Sequence, residues 1–130
     1  MADRLEIIRR MNAAFNARDP DWTASYAEDV EFNMPPEWLD DRVFHGREGV
    51  ERAAGLWREH LDSYGWDEER LIETDEFVVG LFRHRGRIPG GEARVESEVG
   101  ALFYFNGDEV ARVVTYGTWA ETLRAAGIDP

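Results

Sequence analysis

The stretch Val95–Trp119, VESEVGALFYFNGDEVARVVTYGTW, decides the fold that we predict for this chain. Two runs of β-branched and aromatic residues flank Asn106–Glu109, and a turn rich in Asn, Gly and Asp between such runs is typical of a β-hairpin. Both runs have apolar residues on both faces, whereas a sheet with one face in water is polar on that face. We therefore predict a hairpin that is covered on both sides, with helices over one of them.

The register of this hairpin stays open at the level of the sequence. A loop of two or four residues places Phe103 and Phe105 on the face that includes Val110, Val114 and Tyr116, and a three-residue loop exchanges the partners. In either register one apolar face lies outside a cavity, and large apolar patches mark interfaces. We therefore expect a homodimer that packs through the sheet.

The composition indicates an acidic, globular chain that forms a single domain over residues 1–130. Hydrophobic residues make up 43% of the 130 residues, which is enough for a core. The net charge of −12 disfavours nucleic acid and anionic membranes as partners, because binding to phosphates needs a basic face. All 15 basic residues are Arg, which fits either a GC-rich genome or a salt-adapted surface.

The sequence shows neither a targeting signal nor a thiol. No apolar run approaches the roughly 18 residues of a transmembrane helix, and the first residues do not resemble a signal peptide. Without Cys there is no disulfide and no thiolate nucleophile, and the 3 His residues lack the spacing typical of metal ligands. We expect a cytoplasmic protein that needs neither a metal nor a cofactor.

Apolar spacing predicts the elements around the hairpin. The clearest is a helix at Arg47–Tyr64, where apolar residues recur every three or four positions. Helices followed by an antiparallel meander indicate an α+β fold, and a curved sheet around this helix leaves room for a conical cavity. The other predicted elements are helices at Asp3–Arg18, Trp22–Tyr26 and Ala120–Ala126, strands at Val30–Met34, Trp66–Asp75 and Phe77–Arg85, and a loop at Glu37–Gly46.

Several short motifs occur in an order that is similar to the SnoaL-like branch of the NTF2-like superfamily. They span nearly the whole chain and are Phe15–Asp19, Tyr26–Phe32, His45–Val50, Gly107–Val110 leading to Tyr116, and Glu121–Gly127. The resemblance implies an NTF2-like α+β cone, in which N-terminal helices pack on a strongly curved, mostly antiparallel sheet. It also implies a pocket at the wide end and, usually, a homodimer. Ketosteroid isomerase, limonene epoxide hydrolase and polyketide cyclases share this fold.

The catalytic residues of these relatives are mostly missing from this chain. The resemblance places Met34, Met11 and Ala101 where ketosteroid isomerases have a carboxylate base, a Tyr and an Asp, so proton transfer between carbons is not expected. Thr118 stands where polyketide cyclases and epoxide hydrolases have an Asp, and Arg83–Arg85 stands where epoxide hydrolases have Arg-x-Asp. Whether the protein is an enzyme is therefore left open.

Three polar residues remain as the best catalytic candidates, namely Asn33, His84 and Thr118. Asn33 begins an Asn-Met-Pro motif that resembles the one in limonene epoxide hydrolase, where the Asn helps to position the attacking water. His84 is either a general base in the pocket or a strand residue that faces solvent or a carboxylate. We interpret His60 as a rim residue and His45 as a loop residue with a local hydrogen bond.

The many aromatic residues of the chain suit both a packed core and an apolar pocket wall. The residues expected to line the pocket are Phe15, Tyr26, Met34, Trp38, Trp57, Phe82, Ala101, Phe103 and Tyr116. We expect this pocket to bind a small hydrophobic molecule, and its hydrolysis, isomerisation or cyclisation follows only by analogy with the family. The alternative is a non-catalytic dimerisation or ligand-sensing module whose pocket is vestigial.

Overall fold

Three α-helices and six β-strands make up the part of the chain that the computed structural model describes, residues 3–35 and 43–129. In chain order these elements are α1 (Arg4–Asn16), β1 (Tyr26–Asn33), β2 (Val43–His45), α2 (Gly46–Arg58), β3 (Asp62–Glu73), β4 (Val78–Arg87), β5 (Arg94–Asn106), β6 (Glu109–Tyr116) and α3 (Trp119–Ala125). The predicted α+β class is confirmed. None of the helices in these residues has the length and apolar composition that crossing a bilayer requires.

The six strands form one sheet in the order β2-β1-β6-β5-β4-β3. β1 runs parallel to β6, and every other neighbouring pair is antiparallel. The register shifts in the β1–β6, β3–β4 and β5–β6 pairs, and such bulges bend a sheet and increase its twist. The mostly antiparallel sheet is confirmed. The short strand β2 lies in the segment that we predicted as a loop.

The segment between α1 and β1 forms successive turns, so the short helix predicted at Trp22–Tyr26 is wrong. Backbone hydrogen bonds of 3.0–3.1 Å join residues three apart between Asp19 and Tyr26. The Asp19 carboxylate also accepts the Asp21 N–H at 2.9 Å, and a local bond of this kind competes with helix formation. Tyr26 is already the first residue of β1.

The helix α2 ends at Arg58, earlier than the predicted end at Tyr64. Ser63 has a φ of 55°, a left-handed conformation that a continuous helix does not contain. Tyr64 is therefore a residue of β3, and it is buried on the same side of the sheet as α2. The Tyr64 ring and the apolar stripe of α2 face the same interior. The apolar spacing of the sequence therefore continues through Tyr64 as though the helix did.

The β5–β6 hairpin closes through the two-residue loop Gly107–Asp108, since Asn106 pairs with Glu109. Gly107 has a φ of 62°, the left-handed conformation that tight hairpin turns require and that glycine adopts most easily. The hairpin signal in the sequence is thus confirmed.

A bulge beyond the turn then changes which residues of the two strands face each other. Phe105 pairs with Val110, but Phe103 pairs with Val113, because the register shifts between them. Tyr116 consequently lies on the face opposite to Phe103. Neither of the two simple registers considered from the sequence describes the whole hairpin.

Two hydrophobic clusters lie on opposite faces of the sheet. On β4, Phe82 belongs to the cluster on the inner face, beneath α1 and α2, and Leu81 belongs to the cluster on the outer face. Leu123 of α3 packs in the outer cluster with Leu102 of β5. The predicted burial of both sheet faces is therefore confirmed, and the last helix of the chain itself covers part of the outer face.

Gly100 of β5 lies against α3, and we predict that Gly100→Ala destabilises the protein. A Cβ atom at this position would lie 2.7 Å from the Cβ of Thr122, whose side chain is fully buried. Relieving this overlap requires α3 to shift away from the sheet, at a cost of about 1–3 kcal/mol in the free energy of unfolding. Urea unfolding measures this loss.

Gly55 in α2 provides the matched control. Among the described residues, no heavy atom outside its own stretch of helix lies within 4 Å of a Cβ built there. Gly55→Ala should therefore raise the free energy of unfolding by about 1 kcal/mol, because alanine loses less conformational entropy in a helix than glycine. Equal stabilities for the two variants would contradict the close packing at Gly100.

Candidate functional site

A cavity of about 80 Å³ lies between the inner face of the sheet and the helices α1 and α2. A single water needs roughly 10–15 Å³ by the same kind of measure, so the cavity has room for a small organic molecule. Its wall is mostly aromatic and aliphatic. The aromatic residues on it are Phe15, Trp22, Tyr26, Phe32, Trp57, Tyr64, Trp66, Phe82 and Phe103.

Six of the nine residues expected at the pocket lie on the cavity wall, and they are Phe15, Tyr26, Met34, Trp57, Phe82 and Phe103. Ala101 is fully buried in the inner cluster and is not among the lining residues. Tyr116 packs on the outer face with the residues around α3, because the bulge in the hairpin turns it away from the cavity. Trp38 lies outside the residues that the structure describes.

The aromatic rings form a connected layer around the cavity. The ring of Phe15 meets that of Trp22 edge-on, with 4.9 Å between ring centroids. Trp57 stacks on Tyr64 at 6.0 Å. Contacts of this geometry stabilise a pair of rings by about 0.5–1.5 kcal/mol beyond simple burial. The layer therefore gives the cavity a preformed wall.

No Asp, Glu, Lys, Arg or His belongs to the described lining of the cavity. The nearby guanidinium of Arg58 lies over the Phe15 ring, 4.2 Å from its centroid, and its Nη2 donates to the Phe15 carbonyl at 2.8 Å. Burial, followed by the charge of Arg18, lowers the pKa of Arg58. The ring of Phe15 thus lies between this cation and the space that a ligand would occupy.

Tyr26 contributes a hydroxyl to the cavity wall. It is 6% exposed, and burial raises the pKa of its phenol, so the group is neutral over the usual pH range. Within residues 3–35 and 43–129, no group forms a hydrogen bond with this hydroxyl. Tyr26 therefore has a hydroxyl on the cavity wall that a ligand or a water can bind.

A second hydroxyl, that of Tyr64, belongs to a chain of hydrogen bonds. The indole Nε1 of Trp66 donates to the Tyr64 oxygen at 2.8 Å, and this oxygen lies 3.2 Å from Nδ1 of His84. On the other side of the imidazole, Nε2 of His84 forms a hydrogen bond with the hydroxyl of Ser97. Tyr64 and Trp66 line the cavity, whereas Ser97 is exposed on β5.

His84 itself lies behind the cavity wall. It is 5% exposed, and its ring meets Trp57 edge-on at 5.2 Å and Tyr64 at 5.9 Å. Burial lowers its pKa, so the imidazole is neutral at neutral pH. The prediction that His84 faces solvent does not describe this environment, and its route to a ligand would pass through the Tyr64 hydroxyl.

Asn33 and Thr118 lie away from the cavity. The Asn33 amide donates to Glu31 at 3.0 Å and to the Val113 carbonyl at 3.1 Å. The hydrogen bond from Asn33, more than the neighbouring Arg112, lowers the pKa of Glu31. Thr118 is the N-cap of α3, where its hydroxyl accepts from the Glu121 N–H. Alternation along β1 explains the position of Asn33, since the residues on either side of it face the cavity.

Tyr64 and Trp66 are the site residues that the sequence analysis missed. The predicted helix Arg47–Tyr64 includes Tyr64, and the predicted strand Trp66–Asp75 begins at Trp66. Two aromatic residues separated by one glycine, as in Tyr64-Gly65-Trp66, are also typical of a strand with one buried face. This alternation is the sequence pattern that indicates a strand here. Asn12 and Asn16 of α1 were overlooked as well, and both donate to the Trp66 carbonyl, at 2.9 and 2.7 Å.

Comparison with known protein families identifies the chain by its sequence. The family model of the SnoaL-like domain matches residues 8–113, which is most of the chain. The chain belongs to the SnoaL-like family. None of the proteins with a curated function matches this SnoaL-like sequence.

Solved structures share the fold over nearly the full length of this SnoaL-like chain. A provisionally assigned polyketide cyclase from Streptomyces antibioticus, IdmH, has a TM-score of 0.76 at 15% identity and covers 98% of this chain and 100% of its own. TerC, crystallised with polyporic acid, has a TM-score of 0.76 at 15% identity, with coverage of 93% and 95%. A Catenulispora acidiphila protein with a ketosteroid isomerase-like fold, in complex with trimethylamine, has a TM-score of 0.74 at 16% identity, with coverage of 95% and 93%.

The buried imidazole of His84 makes the stability of this SnoaL-like protein depend on pH. Because burial lowers the folded-state pKa of His84, the unfolded chain binds a proton more readily, with a pKa near the usual value of about 6.5. The contribution of a neutral His84 is therefore present above the unfolded pKa and is lost as the pH falls towards the folded one.

We predict that lowering the pH from about 7.5 to about 5.5 decreases the free energy of unfolding more in the unmodified protein than in His84→Gln. Glutamine keeps polar groups at this position but does not titrate, and all carboxylates, together with His45 and His60, are common to both proteins. Urea unfolding at both pH values measures the difference. Equal losses in the two proteins would contradict the buried, neutral state of His84.

Proposed function

We propose that this SnoaL-like protein binds a small, mainly apolar molecule in the cavity between α1, α2 and the sheet. The observation that supports this most directly is the wall itself, where aromatic and aliphatic side chains surround about 80 Å³ with a few hydroxyl and amide groups among them. An apolar molecule that enters such a space leaves water, which stabilises the complex by roughly 25 cal/mol for each Å² of surface removed.

Two structures with the same fold are consistent with this proposal. TerC was crystallised with polyporic acid, and the Catenulispora acidiphila protein is in complex with trimethylamine. These molecules were found with those proteins, and at 15% and 16% identity only the fold is shared with this chain. They support the proposal because they show that other proteins of this fold occur in complex with small molecules.

We restrict the proposal to binding. A reaction on the ligand needs a group beside it that accepts or donates a proton near neutral pH. Among the described lining residues there is no carboxylate, imidazole or amine. Of the three catalytic candidates, Asn33 and Thr118 lie elsewhere, and His84 is separated from the cavity by Tyr64.

The cavity can be closed by enlarging a residue on its wall, and this tests the proposal. Ala54 of α2 lines the cavity and is half-buried, so Ala54→Leu should fill part of the space without overpacking the centre of the core. We predict that toluene binds the unmodified protein with a Kd on the order of 1 mM or tighter, and that Ala54→Leu weakens this at least about tenfold.

Chemical-shift titration with toluene, together with thermal unfolding at saturating ligand, provides the measurement. Saturation at about ten times Kd adds roughly 1.4 kcal/mol to stability, which raises the unfolding temperature by several degrees. Ala13→Leu on the exposed side of α1 is the matched control and should leave binding unchanged. Failure of the unmodified protein to bind toluene or any similar small apolar molecule would contradict the proposed function.

We also propose that the homodimer expected from the sequence packs through the outer face of the sheet. α3 covers one part of this face, while Tyr104 and Tyr116 beside it remain half-buried. A second copy could bury these rings and remove further apolar surface from water. Light scattering at micromolar concentration is expected to give twice the mass of the chain, and a monomer mass would contradict the proposal.

A further inference from the structure

The hydrogen-bonded chain behind the cavity wall links the ligand space to the protein surface. It begins at Trp66 and Tyr64, which line the cavity, continues through His84 and ends at the exposed Ser97. The wall is otherwise mostly apolar, so a chain of four polar groups that ends at one point of it is a distinct feature. The hydrogen atoms and lone pairs of these four groups determine whether Tyr64 can donate a hydrogen bond to a ligand or accept one from it.

The Tyr64 oxygen has one hydrogen to donate and two lone pairs to accept with. The indole N–H of Trp66 can only donate, so at 2.8 Å it occupies one lone pair. Nδ1 of His84, at 3.2 Å, acts either as a hydrogen-bond acceptor or as a donor, depending on the tautomer of the imidazole. It accepts the Tyr64 hydrogen when the imidazole proton is on Nε2, and it donates to the second lone pair when the proton is on Nδ1.

Ser97 can form a hydrogen bond with either tautomer of the His84 imidazole. Its hydroxyl forms a hydrogen bond with Nε2 of His84, and it can serve that nitrogen as a donor or as an acceptor by rotating about its own bond. Because Ser97 is exposed, water satisfies whatever capacity remains. With the proton on Nδ1, Tyr64 has its hydrogen available for a ligand acceptor. With the proton on Nε2, Tyr64 has one lone pair available for a ligand donor.

We propose that the Tyr64 hydroxyl anchors an oxygen atom of the ligand, and that the site therefore selects compact ring compounds with one carbonyl or hydroxyl oxygen. This inference rests on the proposed binding function and narrows its ligand class. Tyr64 is already positioned, because the backbone of Trp66 is held by Asn12 and Asn16 and its indole N–H holds the phenol oxygen. A donor whose place is fixed before binding loses little entropy when the ligand arrives.

Tyr26 is the rival anchor on the same wall. Its hydroxyl has no hydrogen-bond partner within the described residues, so a ligand oxygen there could also form a hydrogen bond. Tyr64 differs because it accepts a hydrogen bond from Trp66, which polarises its own O–H and strengthens the bond that it donates. The two tyrosines therefore make different predictions for substitution by phenylalanine.

The experiment compares two pairs of ligands of matched shape. Phenol and toluene differ in a hydroxyl, and acetophenone and α-methylstyrene differ in a carbonyl oxygen. We expect the unmodified protein to bind the oxygen compound of each pair about five- to tenfold more tightly, after correction for its transfer out of water. Tyr64→Phe should abolish this preference and keep toluene binding, and this retained binding also demonstrates that the variant is folded.

Two further variants complete the design. Tyr116→Phe, on the outer face of the sheet, is the control for the chemical change and should keep the preference. Tyr26→Phe should also keep it. Loss of the preference in Tyr26→Phe, or its persistence in Tyr64→Phe, would overturn the assignment to Tyr64. Toluene binding without any oxygen preference would overturn this inference alone, whereas no binding of any of the four compounds would refute the proposed function itself.

An infrared measurement on the bound ligand provides a readout that does not depend on relative affinities. The carbonyl stretch of bound acetophenone, labelled with ¹³C, should lie at lower frequency than in a hydrocarbon solvent, because a donated hydrogen bond weakens the C=O bond. The same stretch in Tyr64→Phe should return towards the hydrocarbon value. A bound carbonyl that matches the hydrocarbon value in the unmodified protein would overturn the inference.

Discussion

The contact between Asn16, at the end of α1, and the backbone of Trp66 in β3 fixes the two sides of the cavity relative to each other. The Asn16 side chain accepts the Trp66 N–H at 2.9 Å and donates to the Trp66 carbonyl at 2.7 Å. β3 is an edge strand of the described sheet, so these backbone groups would otherwise have no strand beside them. Gly65 allows the approach, since a Cβ there would lie 2.7 Å from the Asn16 Oδ1.

This contact explains how the Tyr64 hydroxyl is held at the wall of a mostly apolar cavity. By holding the backbone of β3 against α1, it directs the rings of Tyr64 and Trp66 into the inner layer, where the Tyr64 hydroxyl meets His84. Surface ion pairs such as Arg85 with Asp67 and Arg9 with Glu68 surround the same strand, but exposed pairs stabilise little. The position of β3 therefore depends chiefly on hydrogen bonds to its backbone and on the burial of its aromatic rings.

Much of the fold could be predicted from the sequence, because turn chemistry and apolar spacing are local. The α+β order, the hairpin around Gly107 and the terminal helix follow from such signals. The bulge in the hairpin could not be predicted, since it depends on packing between strands, and it reverses the face of Tyr116. The predicted helix extends to Tyr64 for a related reason, because a strand that packs against a helix can continue its apolar spacing. The position of Asn33 was decided by alternation in β1, which a motif of three residues does not reveal.

The parallel pairing of β1 with β6 has a consequence for how the chain is made. Asn33 of β1 donates a hydrogen bond to the carbonyl of Val113, a residue 80 positions later in the sequence. Among the described residues, β6 is the strand that lies on that side of β1. During synthesis on the ribosome, β1 is therefore made long before β6, the strand with which it pairs. Long-range pairing of this kind slows folding and leaves strand edges exposed in the meantime. A nascent SnoaL-like chain that stops short of β6 would present one such open edge to chaperones and to other nascent chains.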